Sequence, residues 1–87
     1  MPNIEIYSSL ICPYCIAARW LLGRKGVEYT VHSVDRNPEM RRQMMERASG
    51  RHTVPQIFID DHHVGGYDEL AALEARGELD ALLSPAG

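Results

Sequence analysis

Two cysteines, Cys12 and Cys15, flank Pro13 and Tyr14, and the chain holds no other cysteine. The pair follows an apolar strand-like segment and opens a helical pattern. A C-x-x-C in that place puts one sulfur at a helix N-terminus, where it ionises and attacks disulfides. With Cys12 as the residue before the helix, its sulfur is placed to accept hydrogen bonds from the N–H groups of Tyr14 and Cys15. It also sits at the positive end of the helix dipole. A free cysteine is only about 3% thiolate at neutral pH, so this placement raises the attacking species. Cys15, inside the first turn and more enclosed, stands where a resolving thiol would stand.

Metal chemistry is the competing use of such a pair. A structural zinc site needs two more ligands, and only His32, His52, His62 and His63 could supply them. In a strand, His62 and His63 point to opposite faces, so both cannot easily ligate one ion. No metal is expected.

Two further segments carry chemistry. Thr53-Val54-Pro55 precedes a strand-like run, Gln56 to Ile59. The proline is either a plain turn residue or, with a cis Val54–Pro55 bond, one that exposes the Val54 N–H and C=O to an extended peptide. In Gly65-Gly66-Tyr67-Asp68 the glycines leave the backbone open and the following helix start offers N–H groups to a carboxylate. Asp68 serves as the helix cap and can also receive an ammonium group.

The elements that must position these residues are legible in the pattern. Ile4–Tyr7 reads as a first strand. A helix begins near Pro13, favoured at the first helical position, and stops at Gly26. Val27–Val34, rich in β-branched residues, reads as a second strand. Asn37-Pro38 caps and opens a second helix, with Met40, Met44 and Ala48 on one face and Ser49-Gly50 closing it. Gln56–Ile59 and His62–Val64 form a hairpin about Asp60-Asp61. Asp68 starts a third helix through Leu70 and Leu73 to Gly77, and Leu79, Leu82 and Leu83 give a last short turn. The order β-α-β-α-β-β-α implies a parallel first pair and an antiparallel last pair, hence an α/β fold with a four-stranded mixed sheet flanked by helices.

Eighty-seven residues point to a single domain, 1–87, with one core. No apolar run approaches the roughly 18 residues of a membrane span. The first residues lack the basic and apolar stretches of a secretory signal, and a cytoplasmic place is expected. The net charge of −3 argues against nucleic acid. Five of the nine basic residues (Arg36, Arg41, Arg42, Arg47, Arg51) crowd the middle, whereas Asp60 to Asp80 holds seven acids and only Arg76. That asymmetry suits a small anionic ligand near the middle; two solvated helix faces would give the same distribution.

Taken together, Cys12-Pro13-Tyr14-Cys15, Thr53 to Ile59 and Gly65-Gly66-Tyr67-Asp68 resemble the dithiol glutaredoxins of the CPYC class, above all the small bacterial ones. The resemblance covers nearly the whole chain. It implies a thioredoxin-like fold and a glutathione-dependent disulfide oxidoreductase, with Cys12 as nucleophile, Cys15 as resolving thiol and glutathione as co-substrate. It implies a glutathione groove formed by Tyr14, Thr53, Val54, Pro55, Gly66, Tyr67 and Asp68, with Arg42 on the glycine carboxylate. The implied partners are glutathionylated or disulfide-bearing proteins and, through oxidised glutathione, glutathione reductase; a monomer is expected. Two departures stand out. Ser9 occupies a position where many relatives carry lysine, so thiolate formation and glutathione binding are expected to be weaker. Tyr67 stands where close relatives often have a third cysteine. A thioredoxin-like reductant fed by a flavin reductase, a cluster carrier bridging two subunits and a non-catalytic glutathione module remain as alternatives.

Overall fold

Alternation along the first strand sorts its side chains onto two faces. Ile4 and Ile6 enter one apolar cluster and Tyr7 enters another. The computed structural model describes residues 2–84; Met1 and residues 85–87, included in the domain expected from the sequence, lie outside them. The elements are β1 (Ile4–Ser8), α1 (Pro13–Arg24), β2 (Thr30–Ser33), α2 (Pro38–Arg47), β3 (Gln56–Ile59), β4 (His62–Gly65), α3 (Tyr67–Ala75) and α4 (Leu79–Leu83).

The sheet order is β2-β1-β3-β4. β1 runs parallel to β2 and antiparallel to β3, and β3 pairs antiparallel with β4. This is the mixed four-stranded sheet expected from the pattern. One face buries Ile4, Ile6, Ile57 and Ile59 with Ala18, Leu22 and Leu70 of α1 and α3, closed by Leu79 and Leu83 of α4. The other face buries Tyr7 and Phe58 beneath Met44 of α2 and Ala48 just beyond it. Each fully buried aliphatic side chain contributes about 1.5–3 kcal/mol. Among the described residues no helix is long and apolar enough to cross a membrane.

Polar contacts fix α2 to its face. Arg47 grips both Glu5 carboxylate oxygens at 3.0 and 2.9 Å and donates to the Tyr7 hydroxyl at 2.8 Å. Its guanidinium also lies 4.1 Å from the Phe58 ring centroid.

β1 and β4 each run one residue further than the sequence reading, to Ser8 and Gly65, α3 ends at Ala75, and two other boundaries differ with consequences for packing. The second strand is four residues, Thr30–Ser33, and not Val27–Val34. Val27 and Tyr29 instead pack against the core, and pairing with β1 begins only at Thr30, opposite Glu5. β-Branching without a partner backbone does not make a strand. The N-cap of α3 is Gly66, not Asp68, which lies inside the first turn. The Glu69 carboxylate reaches back to the Gly66 N–H at 2.9 Å and fills the capping role. Gly65 permits this: its φ is +117°, and a Cβ there would collide with Glu69 Oε1.

Candidate functional site

β1 delivers the chain to the cysteines through Ser9, Leu10 and Ile11. Asp35, just past β2, holds this loop: its carboxylate accepts from the Ser9 hydroxyl at 2.7 Å and the Leu10 N–H at 2.9 Å. The Leu10 amide first, then the Ser9 hydroxyl, keep the Asp35 carboxyl below the usual range.

Cys12 is the N-cap of α1, with extended backbone (φ −92°, ψ 117°) and Pro13 directly after it. Its sulfur accepts from the Cys15 N–H at 3.4 Å. Of the two amides expected to converge there, this is the one that reaches it among the described residues. Cys12 is part-exposed, whereas Cys15 is fully buried. Cys15 Sγ accepts from the Ser9 N–H at 3.5 Å. Burial pushes its thiol up; the Ser9 amide pulls the other way and the neighbouring Cys12 sulfur adds to the rise. One sulfur is therefore accessible at a helix terminus, and the other is held neutral beneath it.

A cavity of about 330 Å³ opens beside the accessible sulfur. That volume falls within the roughly 300–1,000 Å³ range of small-ligand sites. Thr53, Val54 and Pro55 form one wall, Gly66, Tyr67 and Asp68 a second, and Tyr14 flanks it. The Tyr14 and Tyr67 rings lie 6.4 Å apart at 34°. The Val54–Pro55 bond is cis, and the Val54 carbonyl oxygen stands 3.7 Å from Cys12 Sγ. A larger hollow of about 620 Å³ lies at the opposite end of β1, lined by Pro2, Asn3, Ile4 and residues 27–30. Val54, the residue whose carbonyl stands beside Cys12 Sγ, lines the smaller cavity and not this one.

The structure thus gathers every residue anticipated for the groove except Arg42. The Arg42 guanidinium is engaged by Glu39 and Glu46 on α2, and Arg42 does not line the cavity. Arg51 does line it. Its Nη1 donates to Glu69 Oε1 at 2.8 Å, the oxygen that also holds the Gly66 N–H. These two donors, the Gly66 amide first, lower the Glu69 carboxyl below its ordinary value. Sequence reasoning missed both Arg51 and Glu69. Spacing carried the signal for each: Glu69 lies three residues past Gly66, and Glu39 and Glu46 flank Arg42 at helix-pair distances.

Known proteins place the site in context. A family model described as Glutaredoxin matches residues 4–64. The chain is 54% identical over 83 residues to glutaredoxin 3 of Escherichia coli strain K12, covering 95% of this chain and 99% of that protein. It is 52% identical over 84 residues to a glutaredoxin of Pseudomonas aeruginosa, covering 97% and 99%. Among solved structures, a Brucella melitensis glutaredoxin matches with TM-score 0.83 and 52% identity over 95% of this chain and 89% of that one. A buckwheat glutaredoxin–glutathione complex matches with TM-score 0.85 and 25% identity over 94% and 76%. The fold is thioredoxin-like, as the sequence implied.

Proposed function

The chain belongs to the glutaredoxin family and is a thiol–disulfide oxidoreductase; from that premise we propose that it draws electrons from glutathione along two routes. In the first, the Cys12 thiolate attacks the glutathione sulfur of a protein–glutathione mixed disulfide. A Cys12–glutathione disulfide forms, and the protein leaves as a thiolate that takes up a proton. A second glutathione thiolate attacks that adduct, releasing oxidised glutathione and restoring the Cys12 thiolate. NADPH and glutathione reductase then recycle the oxidised glutathione.

In the second route Cys12 opens a protein disulfide and carries one protein sulfur as a mixed disulfide. Cys15, once deprotonated, attacks Cys12 Sγ, closes a Cys12–Cys15 disulfide and expels the protein thiolate. Two glutathione molecules return the pair to dithiols. Such a couple operates near the glutathione poise and works in both directions.

The observation that carries this reading is the meeting of an accessible helix-capping sulfur and a walled cavity at the Val54 carbonyl. In the cavity the Val54 backbone pairs with the cysteine of glutathione. The N-terminal turn of α3, with Gly66, Tyr67 and Asp68, receives the γ-glutamyl end, and Tyr14 covers the bound tripeptide. Arg51, and not Arg42, is the cavity's guanidinium and draws a glutathione carboxylate away from its pairing with Glu69. That the buckwheat relative is known with glutathione supports this assignment. We place the protein in the cytoplasm as a single-domain monomer.

NADPH-coupled turnover of a glutathione mixed disulfide tests the scheme. Cys12→Ser abolishes turnover, and Cys15→Ser retains it while losing protein-disulfide reduction. Activity surviving without Cys12 overturns the mechanism.

A further inference from the structure

At the head of β3, Gln56 is fully buried, yet both polar atoms of its amide are engaged. Nε2 donates to the Thr53 carbonyl at 3.0 Å and approaches Thr53 Oγ1 at 3.4 Å. Oε1 lies 2.6 Å from Nε2 of His63. A carbonyl only accepts, so the atom facing Thr53 must be the amide nitrogen. An amide oxygen also only accepts, so His63 carries a proton on Nε2. The His63 ring is itself fixed, stacked on Phe58 with centroids 4.8 Å apart. A chain of donors therefore runs from β4 through Gln56 to the cavity wall.

Burying an amide is costly unless its hydrogen bonds are made, and an aliphatic side chain would fill the core without that demand. What the amide adds is direction. The Thr53 carbonyl and the Val54 N–H belong to one peptide plane, and in a trans peptide they point opposite ways. Holding the carbonyl inward on Gln56 turns the Val54 N–H outward, at a residue that lines the cavity.

We propose that Gln56, held in orientation by His63, is a positioning residue that aims the Val54 N–H at the glutathione moiety that Cys12 takes from the mixed disulfide. This rests on the reading that glutathione pairs with Val54. The pair sets the affinity for glutathione and leaves the reactivity of Cys12 untouched. Gln56→Glu keeps an acceptor for His63 but turns an oxygen on the Thr53 carbonyl, freeing that peptide plane to rotate. His63→Leu removes the holder; His63→Gln retains a donor.

The experiment measures the KM for a glutathione mixed disulfide, kcat and the iodoacetamide alkylation rate of Cys12 in each variant. Expected are a KM raised about tenfold in Gln56→Glu, equivalent to about 1.4 kcal/mol, and severalfold in His63→Leu. His63→Gln returns it toward wild type, with kcat and alkylation near wild type throughout. Should Gln56→Glu not fold, the two His63 variants decide alone. A wild-type KM in folded Gln56→Glu or His63→Leu overturns the role. So does a raised KM accompanied by parallel losses of kcat and thermal stability that His63→Gln does not rescue. The underlying reading is tested separately by titrating wild type with S-methylglutathione and following the Val54, Tyr67 and Asp68 amide resonances. No response there overturns glutathione in the cavity. A response together with an unchanged variant KM overturns only the positioning by Gln56.

Discussion

Cys12 Sγ stands 3.7 Å from the carbonyl oxygen of Val54, a residue 42 positions further along the chain. The N-cap of α1 and the wall of the cavity thus meet at one point, and whatever lies along Val54 is delivered to the sulfur. In the proposed scheme binding and attack are nevertheless carried by separate groups. Asp68→Ala and Tyr67→Ala should therefore raise the KM for a glutathione mixed disulfide about tenfold, the effect of losing one charge-assisted contact or one packed ring. Alkylation of Cys12 by a small reagent should stay within about twofold. Steady-state kinetics and alkylation on the same preparations check this; equal losses in both would show that the cavity shapes the sulfur itself.

The second sulfur has its own pH dependence. Burial is the main cause that raises the Cys15 thiol above the ordinary range, so little thiolate is present near neutrality. Ring closure onto a Cys12 mixed disulfide should accelerate with pH, by about tenfold per unit, for as long as thiolate remains the minor form. Rapid-quench measurement of Cys12–Cys15 disulfide formation between about pH 6 and 9 checks it. A flat profile would contradict the burial argument.

Stability should respond to pH through Glu5. Its carboxyl is held below the usual value, first by the hydrogen bonds from Arg47. A group depressed in the folded state stabilises the fold above its unfolded pKa, about 4.3 for glutamate, and that contribution is lost as pH falls through the folded value. Glu5→Gln should cost about 1–3 kcal/mol near pH 7, because the pair is mostly shielded from solvent. The gap should close as the protein is acidified below about pH 4. Urea unfolding of both proteins across that range is the check, and a gap that persists in acid would refute it.

Ser9 invites a charge that the surroundings would blunt. A lysine there would meet the Asp35 carboxylate, which already binds the Ser9 hydroxyl at 2.7 Å. Ser9→Lys alone should raise Cys12 alkylation at neutral pH by no more than about twofold, and Ser9→Lys with Asp35→Asn by more, since the cation is then unpaired. Equal rates in the single and double variants would remove Asp35 from this account.

The sequence made most of this molecule readable where a residue's own type dictates its neighbourhood. Pro13 and Cys12 marked the start of α1, alternation placed β1, and the strand-like run Gln56 to Ile59 placed β3. Gly65-Gly66 marked the open backbone of the cavity. It was less informative where partners far along the chain decide. Val27 and Tyr29 look like strand residues, but only the register of β1 reveals that pairing begins at Thr30. Five arginines in one segment are equivalent as charges. Which one lines the cavity depends on where its carboxylate partner stands: Glu39 and Glu46 hold Arg42 along α2 and Glu5 holds Arg47 at β1, whereas Arg51 pairs with Glu69, itself a residue of the cavity. The Gln56–His63 bond crosses a hairpin, and residue types alone do not announce it.

The most direct test is the structure in solution of Cys15→Ser carrying glutathione as a mixed disulfide. The account predicts one glutathione, bonded to Cys12, with intermolecular nuclear Overhauser contacts to Tyr14, Val54 and Tyr67. An adduct that forms on Cys12 yet hangs free of that cavity would contradict it.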